Sequence, residues 1–306
     1  MSAEQRDAVD RLVRGGPLDL EGDLETQRGV LIEMMSGVPL PADVRTQKTT
    51  CGGVPVVSVE IEGLGSGGVG SGGVILYLHG GAYVLGTALA GAGLAADLGR
   101  RVGARAVSVD YRLAPEHPYP AGLSDAVAVY RALVESGVPA DRICVAGESA
   151  GAGLALAALV TLKDHGLPMP SCGVLMSPWA DLTLSGASIA GKADVDPALT
   201  GQGLRSRAAD YAGAADPAKD LISPLFADLT GLPPLLVQAG SHEILLDDAT
   251  RLAARAAAAD VAVTLDVTPG VPHVFQGFAA MLDEGQAALD RAGAFVRSHL
   301  AAAVLT

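Results

Sequence analysis

Short apolar runs alternate with longer amphipathic stretches over most of the chain. Val74–Leu78, Ala104–Val109, Ile143–Ala146, Cys172–Met176 and Leu235–Ala239 are apolar nearly throughout and have the length of strands, as has the more mixed Thr264–Val267. Between them, Leu89–Val102, Leu123–Ser136, Ala150–His165, Asp247–Ala259 and Asp283–Ala302 have the length and spacing of helices. A strand that is apolar at every position, rather than at every second one, is buried on both faces. Alternation of such strands with helices predicts the α/β class, a mostly parallel sheet flanked by helices.

Three stretches depart from this rhythm. Asp7–Arg14 and Leu24–Met35 repeat apolar residues three and four apart and read as helices, closed by Pro39 and Pro41. Two strand-like runs follow, Val44–Thr50 and Val54–Ile61. Seven of the eleven residues from Gly63 to Gly73 are Gly, and so unrestricted a backbone predicts a flexible hairpin tip at the surface. From Met176 to Leu235 no strand is visible, and Gly203–Tyr211 is at most one helix. An insertion of that length in an α/β domain is expected to be functional, commonly as a lid.

In such a sheet, ligands and chemistry collect at the carboxyl ends of the strands. Ile143–Ala146 runs into Gly147-Glu148-Ser149-Ala150-Gly151 and then a helix rich in Ala and Leu. This is the G-x-S-x-G nucleophile elbow in its strand–turn–helix setting. The two glycines are needed because a Cβ at 147 or 151 would strike the neighbouring strand or helix, and the strained turn presents Ser149 above the sheet. Val74–Leu78 ends in His79-Gly80-Gly81-Ala82-Tyr83. The backbone N–H groups of Gly80, Gly81 and Ala150 are the expected donors to the oxyanion of a tetrahedral intermediate. His79, ahead of the glycines, reads as a support whose ring holds the loop by hydrogen bonds.

A serine nucleophile needs a histidine base from a loop late in the chain and an acid before it. Of six histidines, His273 lies in the loop that follows the last strand; His165 and His299 fall at helix ends and His117 between prolines. The acid is expected just after Leu235–Ala239, where Glu243, Asp247 and Asp248 are available. Glu243 is nearest the strand end and is preferred. Asp247 is the alternative, being one helical turn later and suited to capping the next helix.

Composition narrows the reading. The 306 residues are 49% hydrophobic, enough to bury one large α/β core, which excludes a disordered chain. A net charge of −13 argues against nucleic acid as a partner. Three cysteines, an odd number without a CxxC pair, read as reduced and buried. Met1–Arg14 has no apolar core, and Ala150–Leu162, the longest apolar run, is too short to span a bilayer, so a cytoplasmic protein with no membrane partner is expected. No histidine pair has metal-ligand spacing, so neither metal nor cofactor is expected.

The four stretches His79-Gly80-Gly81-Ala82-Tyr83, Asp110-Tyr111-Arg112-Leu113-Ala114-Pro115-Glu116, Gly147-Glu148-Ser149-Ala150-Gly151 and Pro272-His273-Val274-Phe275 resemble, in that order, the bacterial hormone-sensitive lipase family of α/β-hydrolase fold esterases. The likeness extends over nearly the whole chain. It implies a carboxylic ester hydrolase acting on a small-molecule ester with short acyl chains. Ser149 is then nucleophile, His273 base, and Gly80, Gly81 and Ala150 the oxyanion donors. It also implies a cap, which divides the chain into residues 1–42 (N-terminal part of the cap), 43–180 (core), 181–220 (cap insertion) and 221–306 (core). A cis peptide at Ala114–Pro115 fits the family. Two positions depart from its pattern: Ala82 stands where a third loop Gly is usual, and the acid position holds His242 or Glu243 where Asp is more common.

Of eleven aromatic residues, most fall in these loops or in the insertion. Tyr83, Trp179, Tyr211 and Phe275 are therefore the expected walls of a substrate pocket around an aliphatic core. The last strand and helix are candidates for pairing across a two-fold axis in a homodimer. A lactone or amide hydrolase with the same triad, and a ligand-binding protein with an idle triad, share these motifs.

Overall fold

A computed structural model describes residues 3–36, 39–63 and 73–300. Its centre is an eight-stranded sheet in the order β1-β2-β4-β3-β5-β6-β7-β8. The strands are β1 (Val44–Cys51), β2 (Val54–Ile61), β3 (Val74–Leu78), β4 (Arg105–Val109), β5 (Ile143–Glu148), β6 (Cys172–Met176), β7 (Leu235–His242) and β8 (Val263–Pro272). From β4 through β8 along the sheet every neighbouring pair is parallel. The antiparallel part is confined to β1, β2 and the β2–β4 edge. Gly52 and Gly53, both at positive φ, close the β1–β2 hairpin between Cys51 and Val54. That conformation is costly for residues with a Cβ and matches the twist of the paired strands.

Side chains alternate across the pleat and divide the core in two. Leu76, Leu78, Val145 and Leu175 face α4 (Ala121–Glu135), α5 (Ala150–Asp164) and α8 (Leu246–Ala258). Ile75, Tyr77, Cys144, Ala146 and Met176 face α3 (Ala92–Val102) and α9 (Asp283–His299). Of α5, every residue from Ala150 to Leu162 is buried, so the longest apolar run is the central helix of the core. No described helix is long and apolar enough to cross a membrane.

The sequence expectation of a hairpin at Gly63–Gly73 is corrected. Residues 64–72 lie outside the described residues, but the strands on either side, β2 and β3, are not neighbours; β4 lies between them. β3 starts the parallel core, whereas β2 belongs to the antiparallel edge. The helix expected over Asp283–Ala302 ends at His299 among the described residues.

The N-terminal helices α1 (Ala3–Arg14) and α2 (Leu24–Ser36) lie over the strand ends. Arg28 of α2 donates to the carbonyls of Val84 and Ala114, both at 2.9 Å, and pairs with Glu116 through two bonds of 2.7 Å. The Asp110–Glu116 stretch is thereby the seat of α2, and its Ala114–Pro115 bond is cis, as is Tyr119–Pro120. The insertion forms α6 (Ser188–Gly191) and α7 (Gly201–Ala212). It touches the N-terminal segment where Arg14 reaches the Val195 carbonyl and Thr200 reaches Glu21.

Candidate active site

Local sterics set the nucleophile. Ser149 has φ 55° and ψ −124°, a strained combination for a residue with a side chain. A Cβ on Gly151 would fall 2.1 Å from the Leu78 carbonyl oxygen, and one on Gly147 2.5 Å from that of Gly151. The turn is locked by backbone bonds: the Ser149 amide donates to Met176, and its carbonyl accepts from Ala152, Gly153 and Trp179. α5 begins at Ala150, so the positive end of that helix points at the serine.

His273, in the turn after β8, places Nε2 2.9 Å from Ser149 Oγ. Its Nδ1 stands 2.5 Å from Glu243 Oε2. Glu243 is fully buried, and its other oxygen accepts the Gly240 amide at 2.7 Å and the Ser177 hydroxyl at 3.1 Å. Ser177 Oγ also accepts the Val274 amide at 3.0 Å, so one hydroxyl joins the carboxylate to the residue after His273. Close approach at Gly240 permits this arrangement: a Cβ there would be 2.3 Å from the Val271 carbonyl oxygen.

The other acid candidates have different partners. Asp247 Oδ2 accepts the Ser188 amide at 2.9 Å and ties the insertion down instead of capping its own helix. Asp248 is buried and accepts the amides of Ala180 and Asp181, both at 2.8 Å. His242 lies opposite Pro272 in the β7–β8 ladder.

After β3 the chain turns through Gly81 (φ 118°), Ala82 (φ 53°) and Tyr83 (φ 64°). Gly81 is required there, since a Cβ would lie 2.3 Å from the Leu85 carbonyl oxygen. The expectation for Gly80 is corrected: its N–H donates to Glu148 Oε1 at 2.7 Å and is not free for a substrate oxyanion. His79 is buried, its Nδ1 2.7 Å from the Gly80 carbonyl and its ring stacked on Tyr111 at 4.3 Å. Burial lowers its pKa to about 4, so the ring is neutral, and Nδ1 carries the proton that the carbonyl accepts.

The aromatic candidates divide. Tyr83 stacks on Tyr211 at 4.0 Å, lies 5.5 Å from Trp179 and donates its hydroxyl to the Trp179 carbonyl. All three rings are buried among core residues. Phe275 lies apart from them, in a separate cluster with Val9, Val271, Leu282 and Ala288 under α1 and α9. The core is thus not aliphatic throughout: Trp179, Tyr77, Tyr83, Tyr130 and Phe275 are its largest fully buried side chains. Sequence reasoning missed Ser177, Glu148 and Arg28. The first two sit at carboxyl ends of strands, the positions where chemistry was sought.

Fold and site define the class: an α/β hydrolase with serine, histidine and carboxylate in hydrogen-bonded sequence. Residues 75–277 match the family model described as alpha/beta hydrolase fold. An acetyl-hydrolase from Streptomyces hygroscopicus is 46% identical over 73% of this chain and 75% of its own length. An esterase from Acinetobacter venetianus is 41% identical over 74% of this chain and 75% of its own. The crystal structure of an esterase from the bacterial hormone-sensitive lipase family superposes with a TM-score of 0.93 and 40% identity, covering 98% of this chain and all of that one. EstE5, whose crystal was soaked with p-nitrophenyl butyrate, gives a TM-score of 0.90 at 37% identity, covering 98% of this chain and all of that one. The chain belongs to the bacterial hormone-sensitive lipase family of α/β-hydrolase esterases. Its enzyme class is carboxylesterase.

Proposed function

We propose that the protein hydrolyses short-chain carboxylic esters by two-step acyl transfer through Ser149. The observation that carries this reading is the continuous chain from Ser149 Oγ through the His273 ring to buried Glu243. His273 Nε2 takes the serine proton as Oγ attacks the ester carbonyl, and Glu243 orients the ring and stabilises the imidazolium. The oxyanion is received by the amides of Gly81, Ala82 and Ala150; Ala82 replaces Gly80, whose amide is occupied. The imidazolium then protonates the departing alkoxide, and water activated by His273 releases the acid.

Short acyl groups are favoured by relatives that carry the name acetyl-hydrolase. The N-terminal helices and residues 181–220 serve as the cap. A homodimer would use edge strand β8, where Leu265 and Val267 are exposed. An acyl series of p-nitrophenyl esters from acetate to laurate tests the substrate class, with rates expected to fall along it. Ser149→Ala should abolish turnover and fluorophosphonate labelling together; turnover at the wild-type rate in that variant refutes the mechanism.

A further inference from the structure

The elbow sets a second carboxylate directly beside the nucleophile. Glu148 ends β5, one residue before Ser149, and both of its oxygens are engaged. Oε1 accepts the Gly80 amide at 2.7 Å, and Oε2 takes a short hydrogen bond from the Tyr77 hydroxyl on β3. Gly80 lies flat on the elbow: a Cβ there would meet the Glu148 carbonyl oxygen and Ser149 Cβ, each at 3.3 Å. One side chain therefore joins the end of β3, the start of the glycine turn and the strand that delivers the nucleophile.

We propose that Glu148 is a positioning residue for acyl transfer, which anchors the glycine turn through the Gly80 amide. The proposal rests on the acyl-transfer reading above. Its geometric argument is that the turn beyond Gly80 is strained. Ala82 and Tyr83 both sit at positive φ, which residues with side chains rarely adopt without outside restraint. Gly80 is the last residue before that turn, so the bond to its amide fixes where the Gly81 and Ala82 amides point.

The anchor also depends on the charge of the Glu148 carboxyl. The titratable groups that face Glu148 are Tyr77 from β3, Tyr111 from the turn after β4 and His273 from the turn after β8. Burial pushes the Glu148 carboxyl up to about 7, against the hydrogen bonds from Tyr77 and Gly80 and the charge of His273. The ionised carboxylate is the stronger acceptor for the Gly80 amide, so the anchor is strongest above that value and weakens as pH falls through it.

The test uses the full chain as wild type, Glu148→Ala, Glu148→Gln and Tyr77→Phe. Hydrolysis of p-nitrophenyl acetate is followed from about pH 5 to about pH 9, a range that spans the Glu148 ionisation. Rates are expressed per Ser149 labelled by a fluorophosphonate, so that a misfolded fraction does not count. Glu148→Ala should lower kcat per labelled site by at least about tenfold with KM little changed. Glu148→Gln keeps an acceptor for Gly80 and should regain part of that loss, yet its acid limb should lose the ionisation near 7. Tyr77→Phe removes a donor to the charged carboxyl and should move that ionisation to higher pH. Should Glu148→Ala fail to fold, the two near-isosteric variants decide. Wild-type kcat per site in Glu148→Ala, or unmoved pH profiles in Glu148→Gln and Tyr77→Phe, overturns the proposal. Wild-type protein that takes no label at Ser149 overturns the acyl-transfer reading, and this one with it.

Discussion

Glu243 Oε2 stands 2.5 Å from His273 Nδ1, while Asp247, four residues along, is bonded to the Ser188 amide at 2.9 Å. The two acids flank the same turn and do different work. Glu243→Gln would offer His273 Nδ1 an amide instead of a carboxylate and favour the wrong ring tautomer. Its kcat should fall by about 10³- to 10⁴-fold. Asp247→Asn keeps an acceptor for Ser188 and should stay within about threefold of wild type, because it alters no reacting group. Parallel kinetics on p-nitrophenyl acetate check the ranking; the reverse order would move the acid to Asp247.

Ser177→Ala removes the hydroxyl shared by Glu243 and the Val274 amide. A buried amide and a carboxylate oxygen each lose a partner, at a stability cost of about 1–3 kcal/mol. The His273 turn loosens with it, and kcat should fall by roughly ten- to a hundredfold, the scale of a small misplacement. Urea unfolding and kinetics on the same preparation measure both; an unchanged kcat would separate Ser177 from the triad.

Arg28→Met should free α2 from the strand ends. The variant loses bonds to the Val84 and Ala114 carbonyls and the pair with Glu116. Since Glu116 is exposed, the carbonyl bonds matter more than the ion pair; about 2 kcal/mol of local stability is expected to go. Arg28 holds Glu116 at about 2, below its ordinary value of 4.5. The pair therefore contributes fully above pH 4.5 and fades as pH falls toward 2. Limited proteolysis should cut the first forty residues faster in the variant at neutral pH. In acid the difference should narrow by the ion pair's share, while the carbonyl bonds keep the wild type the more resistant.

Asp248→Asn should stabilise the protein, more so at alkaline pH. Burial pushes the Asp248 carboxyl from 3.8 to about 8, with Asp181 adding to the rise and two amides opposing it. The folded chain binds that proton more tightly than the unfolded chain, so its stability is full below about pH 4 and declines as pH rises toward 8. The asparagine carbonyl still serves the Ala180 and Asp181 amides without carrying a charge. The Tm difference between variant and wild type should grow between pH 5 and pH 8. A difference that is flat with pH would mean Asp248 is ionised throughout.

The chain's own pattern of apolar runs and glycines determined a good deal. Burial on both faces writes itself into a strand as unbroken hydrophobicity, so β3 through β7 were legible, with boundaries displaced by a few residues at most. The elbow was legible because its backbone strain restricts which residues can stand at 147 and 151. The exposed edges were less so. β1 and β2 are joined by two residues, too few for the crossover a parallel pair needs, so what stayed hidden was their place at the sheet edge and the insertion of β4 between β2 and β3. What only the tertiary structure decided is which polar groups meet. Glu243 and Asp247 are equivalent as residue types within one turn of chain, and burial beside Gly240 and Ser177 separates them. Gly80 reads as a donor to substrate until Glu148, sixty-eight residues away, is seen to occupy its amide. Hydrogen bonds between distant residues depend on directions and distances a few tenths of an ångström wide, and local periodicity carries no record of them.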